Sequence, residues 1–415
     1  MSFKSLVTSR IIALIVDQNR LAKRAARFEK ARQSKAKPHE VIFFHDVTDP
    51  YSHLLLTVIA DLWADTDVHL TCHLIAAPQA NVTPERGKLA AYALKDTRIL
   101  AQKTGLDFDA GQYPSDENVD RARPALAQAF SSHALDTARD ISCSLWSGNT
   151  IQAVDFPWQQ AQATGIALLQ KRGHYQGGML YYGGEWYWGL DRLHYLQTRL
   201  FKLGVGQESL VFAPPVTPVS TGNIGGQLDC YVSFRSPYSY LALNRVIALT
   251  QAYNIKLNLR YVLPMVMRGL PVPKTKRFYL LHDAAHEAYR MGLPFGRIAD
   301  PLGKAVERGY ALMPWARGQG KDAALACSFT TAVWSQGIDA ASNAGLKRIV
   351  ENAGLSWGQA QTYLNDDSWR AEAEDNRQAL TGLGLWGVPS FCYDGTAVWG
   401  QDRLWVIEDL FCEKI

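Results

Sequence analysis

The sequence predicts an α/β protein with two similar domains, each carrying an inserted helical subdomain. Its 415 residues are too many for one ordinary hydrophobic core. Residues 41–54 resemble residues 228–241, since each segment is an apolar run followed by x-Pro-Tyr-Ser and a helix-like stretch. Two further matches follow in the same order along both halves: Leu145–Ser147 with Val333–Ser335, and Trp188–Leu193 with Trp399–Leu404. These repeats indicate a tandem duplication.

The repeats divide the chain into four segments. We expect a basic N-terminal helix and linker at 1–40, a first domain at 41–203, a linker at 204–226 and a second domain at 227–415. The linker contains several prolines and the run Ser220–Gly226, a composition typical of connecting segments.

The second half can be followed element by element. Apolar runs and turn residues predict these elements: a strand at 228–234, a helix from 237 to about 253, a strand at 256–261, a mostly helical region from about 276 to 380, a hairpin of 390–393 and 397–399, and a helix from 402. The hairpin turn has the strong signal Asp394-Gly395. A β-α-β unit, a helical insert and a β-β-α unit in this order form the thioredoxin arrangement.

Charge and composition exclude several classes of protein. Residues 1–40 hold ten Lys and Arg against three acidic residues, so this segment is +7 and the rest of a chain of total charge +4 is −3. The body is therefore not a nucleic-acid binder. No run reaches the roughly 18 apolar residues of a membrane span. Two interpretations of the N-terminal helix stay open: it packs on the body, or it lies as a basic helix on a membrane or an acidic partner.

The cysteines argue against disulfide exchange and metal binding. The six are scattered along the chain: Cys72, Cys143, Cys230, Cys327, Cys392 and Cys412. With no C-x-x-C and no metal-ligand spacing, the pattern predicts neither a dithiol oxidoreductase nor a metal site. Scattered single cysteines are typical of a reducing compartment, and we expect the protein in the cytoplasm.

The turn from Ser236 to Ser239 is the first candidate for chemistry. Pro237 suits the first turn of a helix, which makes Ser236 the N-cap, beside free amides and the positive end of the helix dipole. A thioredoxin-fold oxidoreductase has its reactive cysteine at this place. A serine cannot form a disulfide, but its hydroxyl can donate a hydrogen bond to the thiolate of a bound cofactor. The alternative is that Ser236 only caps its helix.

The segment Gly387–Pro389 precedes a predicted strand. Pro389 is therefore compatible with the role of the cis-proline that thioredoxin folds place opposite the start of this helix. Together with residues 234–242 and Gly400–Arg403, this segment resembles the family of kappa-class glutathione transferases and 2-hydroxychromene-2-carboxylate isomerases. That family lies within the DsbA-like thioredoxin superfamily. The resemblance covers about residues 228–410, and more faintly residues 41–203.

The resemblance implies a glutathione site in the second half. Ser236 would contact the sulfur, and the backbone of Val388 beside Pro389 would pair with the cysteinyl part. Gln401 and Asp402 would hold the γ-glutamyl end, with Asp402 meeting its ammonium. Lys276 would lie near the anionic end. The family's asparagine upstream of that lysine has no clear counterpart in residues 265–271.

The first half departs from this pattern where the chemistry would lie. Asp49 replaces Ser236, and Gly178 corresponds to Pro389, while Asp191 persists. An ionised Asp49 would repel a thiolate beside it. We therefore expect a degenerate first copy, which acts as a scaffold or binds something other than glutathione.

Two hypotheses of function stay open. One is a glutathione-dependent cis–trans isomerase or a glutathione transferase, acting on a small electrophile such as an aromatic-derived compound. The other is a non-catalytic tandem thioredoxin-like binding protein. Because domains of the resembled family dimerise, the duplication further implies intramolecular pairing of the two domains or a homodimer.

Overall fold

The chain divides into two compact units. The computed structural model describes these residues: 3–64, 66–108 and 110–414. The first unit is Lys23–Ala213, and the second unit joins Met1–Ala22 to Pro214–Ile415. Each unit contains one four-stranded sheet.

The N-terminal segment forms two helices, α1 (Phe3–Ile15) and α2 (Gln18–Gln33), instead of the single helix that the sequence predicted. Asp17 separates them, because its carboxylate accepts a hydrogen bond from the backbone N–H of Arg20 at 2.9 Å and so caps a new helix. The prediction of one helix was wrong because it followed the apolar stripe and disregarded this capping signal.

The two N-terminal helices belong to different units. The C-terminal end of α1 lies in the second unit, where the Tyr289 hydroxyl donates to the carbonyl of Val16. Most of α2 lies in the first unit, where the Tyr182 hydroxyl donates to Glu29 at 2.7 Å. Among the described residues, no helix is long and apolar enough to cross a membrane.

The first unit is built on a mixed sheet of strand order β2-β1-β3-β4. After α2 its elements are β1 (His39–Asp46), α3 (Pro50–Leu62), β2 (Val68–Ile75), α4 (Arg86–Thr104), α5 (Asp116–Ser131), α6 (Leu135–Trp146), α7 (Trp158–Lys171), β3 (Met179–Tyr182), β4 (Glu185–Trp188) and α8 (Gly189–Lys202). Strand β2 is parallel to β1, whereas β3 is antiparallel to both β1 and β4.

The second unit repeats this arrangement with the strand order β6-β5-β7-β8. Its elements are β5 (Gln227–Val232), α9 (Pro237–Ala252), β6 (Lys256–Tyr261), α10 (Lys274–Arg290), α11 (Lys304–Ala311), α12 (Met313–Gly318), α13 (Asp322–Thr331), α14 (Asn343–Asn352), α15 (Trp357–Tyr363), α16 (Trp369–Gly382), β7 (Ser390–Tyr393), β8 (Thr396–Trp399) and α17 (Leu404–Cys412). Strand β6 is parallel to β5, and β7 is antiparallel to β5 and β8. The predicted fold class, two α/β thioredoxin-like domains with helical inserts, is confirmed.

The central strands β1 and β5 explain why both halves open with an apolar run. Each pairs on both edges and is covered on both faces, so side chains of both orientations are buried. In register, Phe43 of β1 pairs with Leu180, and Cys230 of β5 pairs with Phe391. Both strands end at the turn that starts the next helix, α3 or α9, which places the candidate site at the end of the central strand.

The second part of the predicted linker is ordered against the second unit. The backbone N–H of Gly222 donates to the carbonyl of Ala252 at 3.0 Å, and that of Val219 donates to Glu408 at 2.6 Å. Glu408 is buried, so this contact fixes the linker to α17.

Candidate functional site

The candidate site is built around the N-terminus of α9. Ser236 is the N-cap, and its Oγ accepts a hydrogen bond from the backbone N–H of Ser239 at 3.1 Å. Pro237 follows in the first turn, where no N–H is needed. Ser236 stays partly exposed, whereas Ser239 is buried and its Oγ accepts from the backbone N–H of Ser233. Ser236 can therefore meet a ligand, while Ser239 closes the turn between strand and helix.

The loop before β7 lies against this turn. The Val388–Pro389 peptide is cis, and the carbonyl of Val388 accepts a hydrogen bond from Ser236 Oγ at 3.3 Å. Gly387 has no room for a side chain, because a Cβ there would overlap the indole of Trp399. The structure thus brings Ser236 and Val388 into contact although 152 residues separate them.

Gln401 is buried, with 1% of its surface exposed. Its Oε1 accepts from Arg245 Nη1 at 2.7 Å, and its Nε2 donates to Glu287 at 2.7 Å. Burial lowers the pKa of Arg245 to about 10, so this guanidinium remains charged at neutral pH. The Gln401 amide therefore fixes the loop after β8 to α9 and α10. Its geometry is that of a positioning residue rather than of the direct ligand contact that the resemblance implied.

Asp402 lies next to Gln401, with 13% of its side chain exposed. Its Oδ1 lies 3.9 Å from Nη1 of Arg403. Gly400 has a φ of +118°, and a Cβ there would come within 2.5 Å of Asp402 Oδ1, so the turn requires glycine. The N–H of Gly400 donates to the carbonyl of Pro389 at 2.9 Å. This bond ties the turn that carries Asp402 to the cis-proline loop.

Lys276 lies in the first turn of α10, and burial of its ammonium lowers its pKa. Further along α10, Asp283 accepts from the hydroxyl of Tyr238 at 2.7 Å, and Glu287 accepts from Gln401. Lys276 precedes Asp283 by two helical turns, so both project from one face of α10. That face therefore runs from the start of α9 to the Gln401 loop.

Two side chains near the site escaped the sequence-based prediction. Arg268 ends a short 3-10 helix, and its Nη2 donates to the carbonyl of Trp386 at 3.1 Å, directly before the cis-proline loop. Tyr310 of α11 donates to the carbonyl of Val262 at 2.7 Å and lies 3.4 Å from Ser233 Oγ. The sequence could have indicated Arg268, because it is a basic residue within residues 265–271, the segment that lacks the family's asparagine. Nothing in the sequence around Tyr310 marks its role.

The first unit repeats the same backbone turn around Asp49. Asp49 is the N-cap of α3 with φ −101° and ψ 114°, close to the −98° and 118° of Ser236. The N–H of Gly189 donates to the carbonyl of Gly178 at 2.8 Å, as that of Gly400 does to Pro389. Gly178 and Pro389 are therefore equivalent positions in the two sheets.

The Asp49 carboxyl differs from the Ser236 hydroxyl in its electrostatics. Although Asp49 keeps part of its surface accessible, desolvation and the neighbouring Asp46 raise its pKa to about 8. The Asp49 Oδ2 atom also lies close to Gly178, where a Cβ would approach it within 3.2 Å. A proline at Gly178 would crowd this carboxyl, so the two substitutions in the first unit are compatible with each other.

Several cysteines have thiols whose pKa is raised by burial. Cys72 and Cys230 are buried, and burial raises the pKa of each thiol far above its usual range. Burial also raises the pKa of Cys327 to about 12. In the described part of the chain, no group of three or more His, Cys, Asp or Glu side chains is arranged to hold a metal ion.

Comparison with known proteins supports the assignment of the second unit. Residues 227–411 match the family of the DSBA-like thioredoxin domain. The chain is 26% identical over 191 residues to 2-hydroxychromene-2-carboxylate isomerase of Pseudomonas putida, covering 44% of this chain and 92% of that protein. The isomerase of Sphingobium xenophagum is 24% identical over 191 residues, covering 44% of this chain and 95% of the relative.

Solved structures similar to this chain include an isomerase and a disulfide reductase. The selenomethionine form of a 2-hydroxychromene-2-carboxylate isomerase is 23% identical, with a TM-score of 0.40, and the match covers 45% of this chain and 95% of that chain. The cytosolic disulfide reductase DsbM of Pseudomonas aeruginosa is 20% identical, with a TM-score of 0.36, and the match covers 45% of this chain and 94% of that chain.

Residues 227–411 are thus a DsbA-like thioredoxin domain, and the predicted resemblance is confirmed for this part of the chain. Within that class, the two curated relatives described above are both 2-hydroxychromene-2-carboxylate isomerases. The duplication of one ancestral domain stays a prediction, although both sheets share one topology.

Proposed function

We propose that the second unit is a glutathione-dependent isomerase or transferase, in which Ser236 stabilises the thiolate of bound glutathione. The observation that carries this proposal is the placement of the Ser236 hydroxyl. It is partly exposed at the N-terminus of α9 and bonded to the Val388 carbonyl at 3.3 Å. That distance is long for an O–H···O bond, so the hydroxyl can turn to a ligand at little cost.

Ser236 and α9 would act on a sulfur atom in the same direction. A hydroxyl that donates to a thiolate and the positive end of a helix both favour the charged form, and both lower the pKa of the thiol. Glutathione bound here would supply a thiol that adds to an electron-poor C=C bond. If it stays attached the reaction is a transfer, and if it leaves after bond rotation the reaction is an isomerisation.

The remaining candidate residues suit the charged ends of a tripeptide. The Asp402 carboxylate can meet the ligand ammonium, and the Lys276 ammonium can meet a ligand carboxylate. Burial lowers the pKa of Lys276, and poor hydration of this kind strengthens its attraction for a carboxylate. Backbone groups of Val388 can pair with the cysteinyl part, while Gln401 holds the Asp402 loop in place.

The names of the relatives favour isomerisation over transfer. Both curated relatives are isomerases of 2-hydroxychromene-2-carboxylate, at 24–26% identity. We therefore propose a small electrophile with a polarised double bond as the substrate.

The test is calorimetric titration with glutathione, combined with ultraviolet absorbance of the bound thiolate as pH is varied. We expect one glutathione site per chain and a bound thiol that ionises at lower pH than free glutathione. Ser236→Ala should remove that pKa shift. Ser356→Ala is the matched control, because Ser356 Oγ also caps a helix by accepting from the N–H of Gln359. A thiol that titrates like free glutathione in the unmodified protein would refute the mechanism.

A non-catalytic binding protein is the second candidate, favoured by the loss of the serine and the proline in the first unit. It would be the better account if glutathione binds without a change in thiol pKa. Neither candidate supplies an attacking thiolate at Asp49 or Ser236, so insulin-reduction assays should show no turnover.

A further inference from the structure

The first unit contains a cavity of about 430 Å³ that is lined by residues of α2, β1 and the turn between β3 and β4, and not by Asp49. Glu40 and Ile42 of β1 and Tyr181 of β3 form its floor, since Ile42 pairs with Tyr181 and Glu40 lies two residues away on the same face. Helix α2 and Arg172, just after α7, provide walls. Its volume falls within the range of small-molecule sites.

The walls of this cavity are strongly basic. Five cationic side chains line it: Arg24, Arg32, Lys35, Lys37 and Arg172. Glu40 is the one acidic residue that lines it in the described part of the chain. Arg32 is neutralised by Glu29, whose Oε2 accepts from Arg32 Nε at 2.8 Å. The other four cations have no carboxylate within ion-pair distance among the described residues, so the cavity holds an excess of positive charge.

The basic wall is fixed to the sheet and is not a loose tail. Glu29 is buried in the middle of α2 and accepts from the Tyr182 hydroxyl at 2.7 Å. The same hydroxyl lies 2.6 Å from His39 Nδ1. Arg32 also donates through Nη1 to the carbonyl of Lys37 at 2.7 Å, which shapes the connection from α2 to β1. Arg32 and helix α2 are therefore held by a buried polar network that leads into the sheet, whereas the other four cations are exposed around the cavity.

The cavity also has apolar surface and a tight glycine turn. Gly183 and Gly184 have φ values of +59° and +90°, and a Cβ at Gly183 would approach Phe28 Cδ1 within 3.0 Å. The Arg172 guanidinium lies 4.8 Å from the centre of the Tyr181 ring. Phe28 is 37% exposed beside it. A ligand with a flat apolar part would find ring surface here as well as charge.

The second unit has carboxylates at positions equivalent to the floor and the turn. Asp229 stands in place of Ile42 and lies 2.9 Å from Arg260, and Asp394 stands in place of Gly183 and lies 2.6 Å from Lys414. The excess of positive charge is therefore a feature of the first unit and not a general consequence of the fold.

We propose that this cavity binds a small organic anion with at least two negative charges, borne by phosphate or carboxylate groups on an apolar body. Guanidinium groups bind both kinds of group through paired hydrogen bonds. The concave lining, with the Tyr181 ring at its floor, favours a small molecule with an apolar body over the extended surface of a membrane or a nucleic acid. The site is independent of the proposed glutathione chemistry of the second unit.

The test is calorimetric titration of the full chain with three probes: ADP, citrate and pyrophosphate. We expect saturable binding of ADP at one site, and weaker binding of citrate and pyrophosphate, which lack an aromatic or other large apolar body. Lys35→Gln/Lys37→Gln should weaken the binding at least about tenfold, since charged hydrogen bonds to the ligand are lost.

Lys23→Gln/Lys30→Gln is the matched control, because it removes the same charge from exposed positions of α2 that do not line the cavity. Its affinity should stay within about twofold of the unmodified protein. Equal losses in both variants would overturn the proposal, as would the absence of saturable binding by ADP. Tighter binding to phosphatidylserine vesicles than to ADP would overturn it in favour of a membrane surface.

Discussion

The two units share one backbone turn but cap it with different chemical groups, a carboxyl group at Asp49 and a hydroxyl group at Ser236. Asp49 and Ser236 cap equivalent helices with nearly the same φ and ψ, and the buried serine three residues later accepts the same backbone N–H in each turn. A helix N-terminus is satisfied equally well by a carboxylate or a hydroxyl. The fold therefore tolerates either residue, whereas only the serine hydroxyl stays a neutral hydrogen-bond donor at every pH, because the Asp49 carboxyl loses its proton near its pKa of about 8.

The units also differ in the residues that support the turn and the loop beside it. In the second unit, Arg245 of α9 bonds to Gln401, and the equivalent residues of the first unit are Val58 and Leu190, both buried. A charged network thus holds the site loop in the second unit, whereas the equivalent positions of the first unit are buried and apolar. The loss of the serine and proline in the first unit accompanies the loss of this network.

The largest expected effect comes from breaking that network. Glu287→Ala should destabilise the second unit by about 3–5 kcal/mol, because it removes the ion-pair partner of Arg290, the acceptor of Gln401 and one of the negative charges near Arg245. Urea unfolding followed by circular dichroism measures the change.

A triple variant tests whether the second unit stays stable when apolar side chains, as found in the first unit, replace the charged network. Arg245→Val/Gln401→Leu/Glu287→Leu replaces the network by apolar side chains and should recover most of the lost stability. If Glu287→Ala costs less than about 1 kcal/mol, the network is not a source of stability.

An intermediate effect is expected when α9 of the second unit receives Asp, the N-cap residue of α3 in the first unit. Ser236→Asp should keep α9 capped and leave the free energy of unfolding within about 1 kcal/mol. Glutathione binding should weaken at least about tenfold, since a carboxylate replaces a hydrogen-bond donor beside the sulfur. The measurement is calorimetric titration. Asp49→Ser is the control and should not create a second site, because Gly178 remains; a second site would show that the cap alone decides binding.

The smallest expected effect concerns the pH dependence of the first unit. The pKa of Asp49 is raised to about 8 in the folded chain from 3.8, so the folded state retains a proton that the unfolded state releases. Stability of the first unit should therefore fall as pH rises from about 4 to about 8. Asp49→Asn should flatten that decline, by at least about 1 kcal/mol between pH 5 and pH 8. Urea unfolding at both pH values measures this.

The control for this titration is Asp140→Asn, which removes a carboxyl whose side chain is 77% exposed. Its stability should follow the pH dependence of the unmodified protein. If Asp49→Asn and Asp140→Asn behave alike, the carboxyl at the α3 cap is not the group that titrates.

Local signals predicted the fold well. The apolar runs before x-Pro-Tyr-Ser became β1 and β5, and Asp394-Gly395 became the turn between β7 and β8. Such features depend on a few neighbouring residues, so the sequence displays them directly. The break between α1 and α2 is also local, and Asp17 would have revealed it.

Contacts between distant residues could not be predicted in this way. Gln401 meets partners 114 and 156 residues away, so its burial depends on how α9 and α10 pack. The basic cavity is similar: the sequence displays the charge of residues 1–40, but not the bond between Glu29 and Tyr182, 153 residues later, that fixes α2 to the sheet.

The linker prolines set a limit on where the chain can be cut. Arg245 Nη2 donates to the carbonyl of Pro215 at 3.2 Å, and Arg290 Nη1 donates to that of Pro214 at 2.8 Å. A fragment that begins at residue 227, where the family match starts, would deprive both guanidinium groups, of which that of Arg245 is buried, of these acceptors. A fragment intended to keep the site intact should therefore begin before Pro214.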